Sequence, residues 1–245
     1  MRKNFNRNIK RDSTKKDRST YPQKRVNQNW IGTDESGKGD YFGPLVVAGV
    51  YMTGGRMQQL KDLRIRDSKM ISEKRILELD FKIRSLCPYS IVVIGPEKYN
   101  VLYQKMKNLN RILAWGHARV IENILMKTDC NKVVADKFGD EKFIINALME
   151  KGKKVTLTQM HQGERDFAVA AASILARAEF VRRLALLSRE SELDLPKGSS
   201  SLADEVGKKL LEKWGKENLV RFVKLHFKNT DKILYAKGEI TKKNP

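Results

Sequence analysis

The sequence predicts an α/β fold, and three observations carry that expectation. Short, valine-rich apolar runs of strand length recur along the chain. Longer stretches with helical apolar spacing lie between them. Glycine, proline or a capping residue separates most of the segments. At 245 residues the chain is long enough to enclose a sizeable core.

The elements follow in order. Residues 30–33 read as a first strand, and residues 45–52 as a buried second strand ended by Gly54-Gly55. A short helix is expected over 56–64, then a polar loop, Asp67-Ser68-Lys69. Ser72 is an N-cap with Glu73 in the first turn. That helix runs to 86, with Ile76, Leu79 and Ile83 on one face, and Pro88 stops it. Residues 89–94 form a strand broken by Gly95-Pro96. Asn110 caps a long helix to 126, apolar at Ile112, Leu113, Ile121, Ile124 and Leu125. A strand over 132–135 closes on Asp136, followed by a helix over 141–150 and a strand over 154–159. The loop His161-Gln162-Gly163 leads into a long helix over 164–191, whose alanine-rich start permits close backbone packing. A turn at 195–200, a helix over 202–214 and a helical stretch over 216–226 follow, and the chain frays from Lys228. Glu78, Asp80, Glu122 and Glu192 fall on helices with the spacing of solvated faces. There is no internal repeat.

The formal net charge is +20, with 49 Lys and Arg against 29 Asp and Glu. Such a chain attracts polyanions, nucleic acid before anionic membrane. Residues 1–28 hold ten Lys or Arg and two Asp, with too few apolar groups to offset ordering; they read as a disordered basic arm, and 236–245 as a basic tail. Two cysteines, Cys87 and Cys130, indicate a reduced, cytoplasmic protein rather than a disulfide scaffold. His117, His161 and His226 lack zinc spacing with them. No apolar run is long enough to span a bilayer, and no secretory signal is expected.

The chemistry concentrates in residues 30–50. Gly32-Thr-Asp-Glu-Ser-Gly37-Lys38-Gly39 nearly fits a phosphate-binding loop, but position 39 lacks the metal-binding hydroxyl. Asp34 and Glu35 also stand where backbone amides would have to cradle phosphate anions. Adjacent acids suit a hard cation better, since Mg²⁺ takes carboxylate oxygens and keeps waters for phosphates to displace. Such a site needs further acids at strand ends. Asp136 closes a buried strand at the carboxyl edge of the sheet, and Glu164 and Asp166 open the long helix. Acids in a first turn also complement the helix dipole, the alternative reading of these two.

Together these residues resemble the type 2 and type 3 ribonuclease H family, the type 3 enzymes (ribonuclease HIII) most closely, over nearly all of residues 30–235. The stretch Thr33 to Pro44 is similar to the family's first active-site motif, and its Ser-Gly-Lys-Gly has the type 3 form. Asp67-Ser68-Lys69, Val134-Ala135-Asp136, Gly163-Glu164 ahead of residues 170–177, Leu195-Pro196-Lys197-Gly198 and His226-Phe227-Lys228-Asn229-Thr230 follow in the family's order.

The resemblance implies a ribonuclease H-like catalytic domain over 29–235, with a mixed β-sheet flanked by helices and a helical C-terminal extension. It implies a metal-dependent endonuclease acting on the RNA strand of RNA–DNA hybrids, leaving 5′-phosphate and 3′-hydroxyl ends. Asp34, Glu35, Asp136 and Glu164 would be catalytic and hold two Mg²⁺ or Mn²⁺ ions, with Glu164 favoured over Asp166. Gly37, Lys38, Gly39, Ser68 and Lys69 would bind substrate, the glycines by close approach to a ribose 2′-hydroxyl. Adjacent Asp34 and Glu35 share one site only if the strand ends or bends there. A monomer is expected. Type 3 enzymes carry a folded N-terminal substrate-binding domain; here the basic arm stands in its place. The alternatives are type 2-like cutting at single embedded ribonucleotides and a non-catalytic basic nucleic-acid-binding protein.

Overall fold

The computed structural model describes residues 28–63, 65 and 71–235. All but the last residue of the expected arm over 1–28, the tail over 236–245 and the Asp67-Ser68-Lys69 loop lie outside the described residues.

The fold is α/β, as the patterning indicates. Five strands form one mixed sheet: β1 (Asn29–Ser36), β2 (Leu45–Thr53), β3 (Tyr89–Ile94), β4 (Lys132–Asp136) and β5 (Thr156–Met160). Their order is β3-β2-β1-β4-β5. The first three strands are an antiparallel meander, while β4 and β5 run parallel to β1. The carboxyl ends of β1, β4 and β5 therefore face the same edge, the usual position of an α/β site.

The helices are α1 (Gly54–Lys61), α2 (Glu73–Leu86), α3 (Pro96–Met106), α4 (Leu109–Leu125), α5 (Lys142–Ala147), α6 (Phe167–Ser191), α7 (Ser201–Trp214) and α8 (Lys228–Tyr235). Ser72 caps α2 as expected, accepting from the Arg75 amide. Two helices, α3 and α8, were not expected, and one cap lies elsewhere. Gly95-Pro96 does not merely break the chain: Pro96 starts α3, where its fixed φ and missing N–H suit a first helical turn. Asn108, not Asn110, caps α4, accepting from the Asn110 amide at 2.8 Å. From Lys228 the chain forms α8, which drives Ile233 against Gly207 of α7.

The two faces of the sheet carry separate apolar clusters. On one, α6 and α2 cover Trp30, Val46, Ala48 and Val50. On the other, α4 covers Ile31, Val47 and Val133. Alternate residues of β1 and β2 go to opposite faces, as the period-2 pleat requires. The alanine-rich start of α6 lies directly on β1. A β-carbon on Gly32 would run into the Ala168 backbone, so Gly32 and Ala168 set this close approach.

Two acids expected at the surface are inside. Asp80 is 1 % exposed, paired with Arg84 and Arg182; Glu122 is 5 % exposed, accepting from the Met149 and Gly152 amides at 2.8 Å each. Helical spacing identified their elements but not the neighbours that α6 and the α5 region bring over them.

Candidate active site

Strand β1 stays paired with β2 through Ser36, but its pairing with β4 stops at Thr33, so the acidic pair stands where β1 parts from β4. The side chains of Asp34 and Glu35 leave on opposite faces and still meet electrostatically at this open edge, beside Asp136. Thr33 and Glu35 point to α4, where His117 bridges them: its Nε2 lies 3.2 Å from Glu35 Oε2 and its Nδ1 2.9 Å from Thr33 Oγ1. A carboxylate only accepts, so Nε2 carries the hydrogen donated to Glu35, and Nδ1 pairs with the Thr33 hydroxyl. His117 is fully buried and stacks on Phe138 at 5.0 Å. Asp34 points the other way, toward α6, where Ser173 hydrogen-bonds it; its Oδ1 also accepts from the Glu35 amide at 2.7 Å.

Their titration diverges accordingly. Burial, then the charges of Glu35 and Asp136, push the Asp34 carboxyl well above the usual carboxylate range. Burial acts on Glu35 in the same sense, but His117 and Lys38 outweigh it and hold its carboxyl below that range. Lys38 Nζ lies 2.7 Å from Glu35 Oε1. The lysine is raised: burial opposes its charge, and Glu35, Asp136 and Asp34 together prevail.

Asp136 ends β4, one strand over from Asp34. Its Oδ1 accepts from the Gly163 amide at 2.8 Å, which ties the end of β4 to the turn after β5. A β-carbon at Gly163 would press on that oxygen. Glu164 sits half-buried in the same 3₁₀ turn, Gly163–Arg165. Asp166 has a different setting. It is the N-cap of α6, and its Oδ1 accepts from the amides of Ala168 and Val169 and from Trp30 Nε1 at 2.8 Å.

The fold thus gathers Asp34, Glu35 and Asp136 at one sheet edge, with Glu164 in the adjoining turn. Among the described residues, no three His, Cys, Asp or Glu side chains converge closely enough to hold an ion as they stand. The donors are nonetheless carboxylate oxygens, the set that hard divalent cations take.

The glycine turn divides into two roles. Gly37 has φ +88°, and a β-carbon there would collide with the Pro44 carbonyl and Phe180; the fold itself demands glycine. A β-carbon at Gly39 would meet nothing within 4 Å. Lys38 stands between them, exposed and paired with Glu35. Ser68 and Lys69 lie outside the described residues.

His117 was not singled out by sequence reasoning, which considered histidines only as zinc ligands. Its available signal was a histidine amid the apolar residues of a long helix, beside a strand carrying acids. Arg177 of α6 also faces this edge: burial lowers it, and the charges of Glu73 and Asp34 work against that.

Residues 31–230 match the family model described as Ribonuclease HII. The chain is similar to ribonuclease HIII of Protochlamydia amoebophila (strain UWE25), 51 % identical over 209 residues, covering 85 % of this chain and 69 % of that relative. It is 42 % identical over 206 residues to ribonuclease HIII of Chlamydia felis (strain Fe/C-56), covering 83 % and 69 %. Among solved structures it resembles Bst-RNase HIII in complex with Mn²⁺, with TM-score 0.80 at 28 % identity, covering 87 % of this chain and 71 % of that one. Aquifex aeolicus RNase H3 gives TM-score 0.67 at 32 % identity, covering 82 % and 72 %.

Proposed function

The chain belongs to the ribonuclease HIII family and is a ribonuclease H; from that premise we propose that it hydrolyses the RNA strand of RNA–DNA hybrids with two divalent ions, leaving 5′-phosphate and 3′-hydroxyl ends. The observation that carries this reading is Asp34, half-buried and crowded by the charges of Glu35 and Asp136 at the carboxyl edge of the sheet. A carboxyl in that position is relieved by a cation. Asp34, Glu35, Asp136 and Glu164 would hold Mg²⁺ or Mn²⁺, and the Mn²⁺ in the solved Bst-RNase HIII complex supports the choice. The three donors on Asp166 Oδ1 leave it to the helix cap and favour Glu164 as the fourth ligand.

Bound divalent ions supply Lewis-acid stabilisation of the charge that builds on the phosphodiester. The chain's own groups prepare the site. His117 fixes the orientation of Glu35, as a partner behind a ligand does. Lys38 neutralises Glu35 in the free protein and lies beside the path of a substrate phosphate. Gly39 leaves open space through which a ribose can reach the backbone, and the 2′-hydroxyl is the group that separates RNA from DNA there. In the reaction a water oxygen bonds to phosphorus, the bond from phosphorus to the ribose 3′-oxygen breaks, and that oxygen takes a proton.

The test is cleavage of an end-labelled RNA–DNA hybrid by the wild type and by folded Asp34→Asn and Asp136→Asn. Loss of at least about 100-fold in rate is expected of both, the scale on which removal of transition-state charge stabilisation is felt. Near wild-type cleavage by either rejects the assignment. A duplex with a single embedded ribonucleotide, run alongside, separates the type 3 from the type 2 specificity.

A further inference from the structure

Among the described residues Lys224 is the only lysine with no exposure at all. Its Nζ donates to three backbone carbonyls of one loop: Asp40 at 2.6 Å, Gly43 at 2.8 Å and Phe42 at 3.4 Å. Burying a lysine is costly; burial pushes this one from 10.5 down to about 7, against the charge of Asp40. Residues 40–43 continue directly from the Gly37–Gly39 turn.

The same loop is stitched to the C-terminal region through its backbone. The Lys224 amide donates to Tyr41 O at 2.9 Å, the Gly43 amide donates to Phe222 O at 3.0 Å, and Phe42 forms an antiparallel bridge with Val223. From the turn before α7, the Gly198 amide donates to Asp40 Oδ1 at 2.7 Å, and the Tyr41 amide donates to Gly198 O. Behind this seam, Asn100 of α3 donates to Val223 O at 2.9 Å and accepts from the Leu225 amide at 2.9 Å. A continuous set of contacts therefore runs from α3 through residues 223–225 to the loop beside the active site. Three carbonyls turned toward one point repel each other unless a donor sits among them.

We propose that Lys224 is a positioning residue that draws the Asp40–Gly43 carbonyls together and so holds the Gly37–Gly39 turn where Gly39 meets the ribose of the RNA strand. The proposal rests on the reading of that turn as the sugar contact. Lys224 touches neither substrate nor the acids; it acts through the loop.

The experiment uses the full chain and three variants: Lys224→Met, which keeps the length and apolar stem without the amine, Asn100→Ala, which loosens the seam from behind, and Gly39→Ala. Folding is followed by circular dichroism, and kcat and KM are measured on an RNA–DNA hybrid at a temperature where each variant is folded. Inhibition by an all-DNA duplex of the same sequence is measured in parallel. For Lys224→Met, kcat/KM is expected to fall about 10–100-fold, the scale of a small misplacement transmitted from outside the chemistry. Its inhibition constant for the DNA duplex should stay within twofold of wild type, because of the 49 Lys and Arg that attract phosphates the turn holds Lys38 alone. Asn100→Ala should show the same selective loss to a smaller degree, and it decides the matter if Lys224→Met does not fold. A folded Lys224→Met with wild-type kcat/KM overturns the proposal, as does an equal loss toward both duplexes. Normal cleavage by Gly39→Ala rejects the underlying reading of the turn; impaired Gly39→Ala beside normal Lys224→Met rejects the role of Lys224 alone.

Discussion

Two neighbouring carboxyls, Asp34 and Glu35, have opposite electrostatic fates because one peptide unit of pleat sends them to different faces. Glu35 meets His117 and Lys38 and is held ionised; Asp34 meets Ser173 and the charges of two other acids. His117 is the residue on which the difference turns. Replacing it by alanine leaves Glu35 without its orienting donor and Thr33 without its partner. His117→Ala should raise the divalent-ion concentration needed for half-maximal cleavage about 10–100-fold, read from a titration of activity against Mg²⁺. Lys224 offers a pH test. Its folded pKa of about 7 lies below the ordinary 10.5, so between those values the unfolded chain binds more protons and stability rises with pH. Asp40 opposes that depression, and His226, pushed down to about 4 by burial and then by Lys224 itself, is already neutral throughout the window. From pH 7 to 9 the unfolding free energy of wild type minus that of Lys224→Met should therefore increase, which urea titrations at several pH values measure.

At the scale of elements, the decisive contact is the N-terminus of α6 on β1. Gly32 removes the obstacle, the alanines permit the approach, and Asp166 closes the helix start while pinning Trp30. Removing this carboxyl sacrifices an N-cap and strands a buried indole N–H. Asp166→Ala is expected to cost about 2 kcal/mol or more in stability, seen as a lower urea midpoint with an unchanged slope. Glu164→Gln, two residues earlier, should leave the midpoint within experimental scatter and lower cleavage instead. The opposite pairing of effects would exchange the roles of the two acids.

For the whole molecule, the excess of positive charge is the dominant long-range property. A net charge of +20 predicts hybrid binding that weakens steeply with salt, by about 0.9 in the slope of log affinity against log salt for each phosphate neutralised on a B-form duplex. Deleting residues 1–28, which carry ten Lys or Arg, should make that slope shallower by several such units, measured by fluorescence anisotropy on a non-cleavable hybrid. An unchanged slope would assign the phosphate contacts to residues 29–245. No helix among the described residues is long and apolar enough to cross a membrane, in keeping with the absence of a long apolar run.

Sequence and tertiary structure divide the explanation along a physical line. Local patterning was sufficient for the α/β class, for β2 and β3 nearly to the residue, and for the Ser72 cap, because apolar period and capping chemistry act over a few residues. The four acids came from the resemblance to a known family; patterning alone left Glu164 and Asp166 undivided. It missed α3 and α8 altogether, and the burial of Asp80 and Glu122. In each case the missing information was a neighbour distant in sequence, or a proline that begins a helix rather than ending a strand. Which face each acid takes, that His117 backs Glu35, and that Lys224 reaches across 181 residues to the carbonyl of Gly43 are decided only by tertiary structure. Strand register and helix placement bring those groups together, and neither is encoded in the residues adjacent to them.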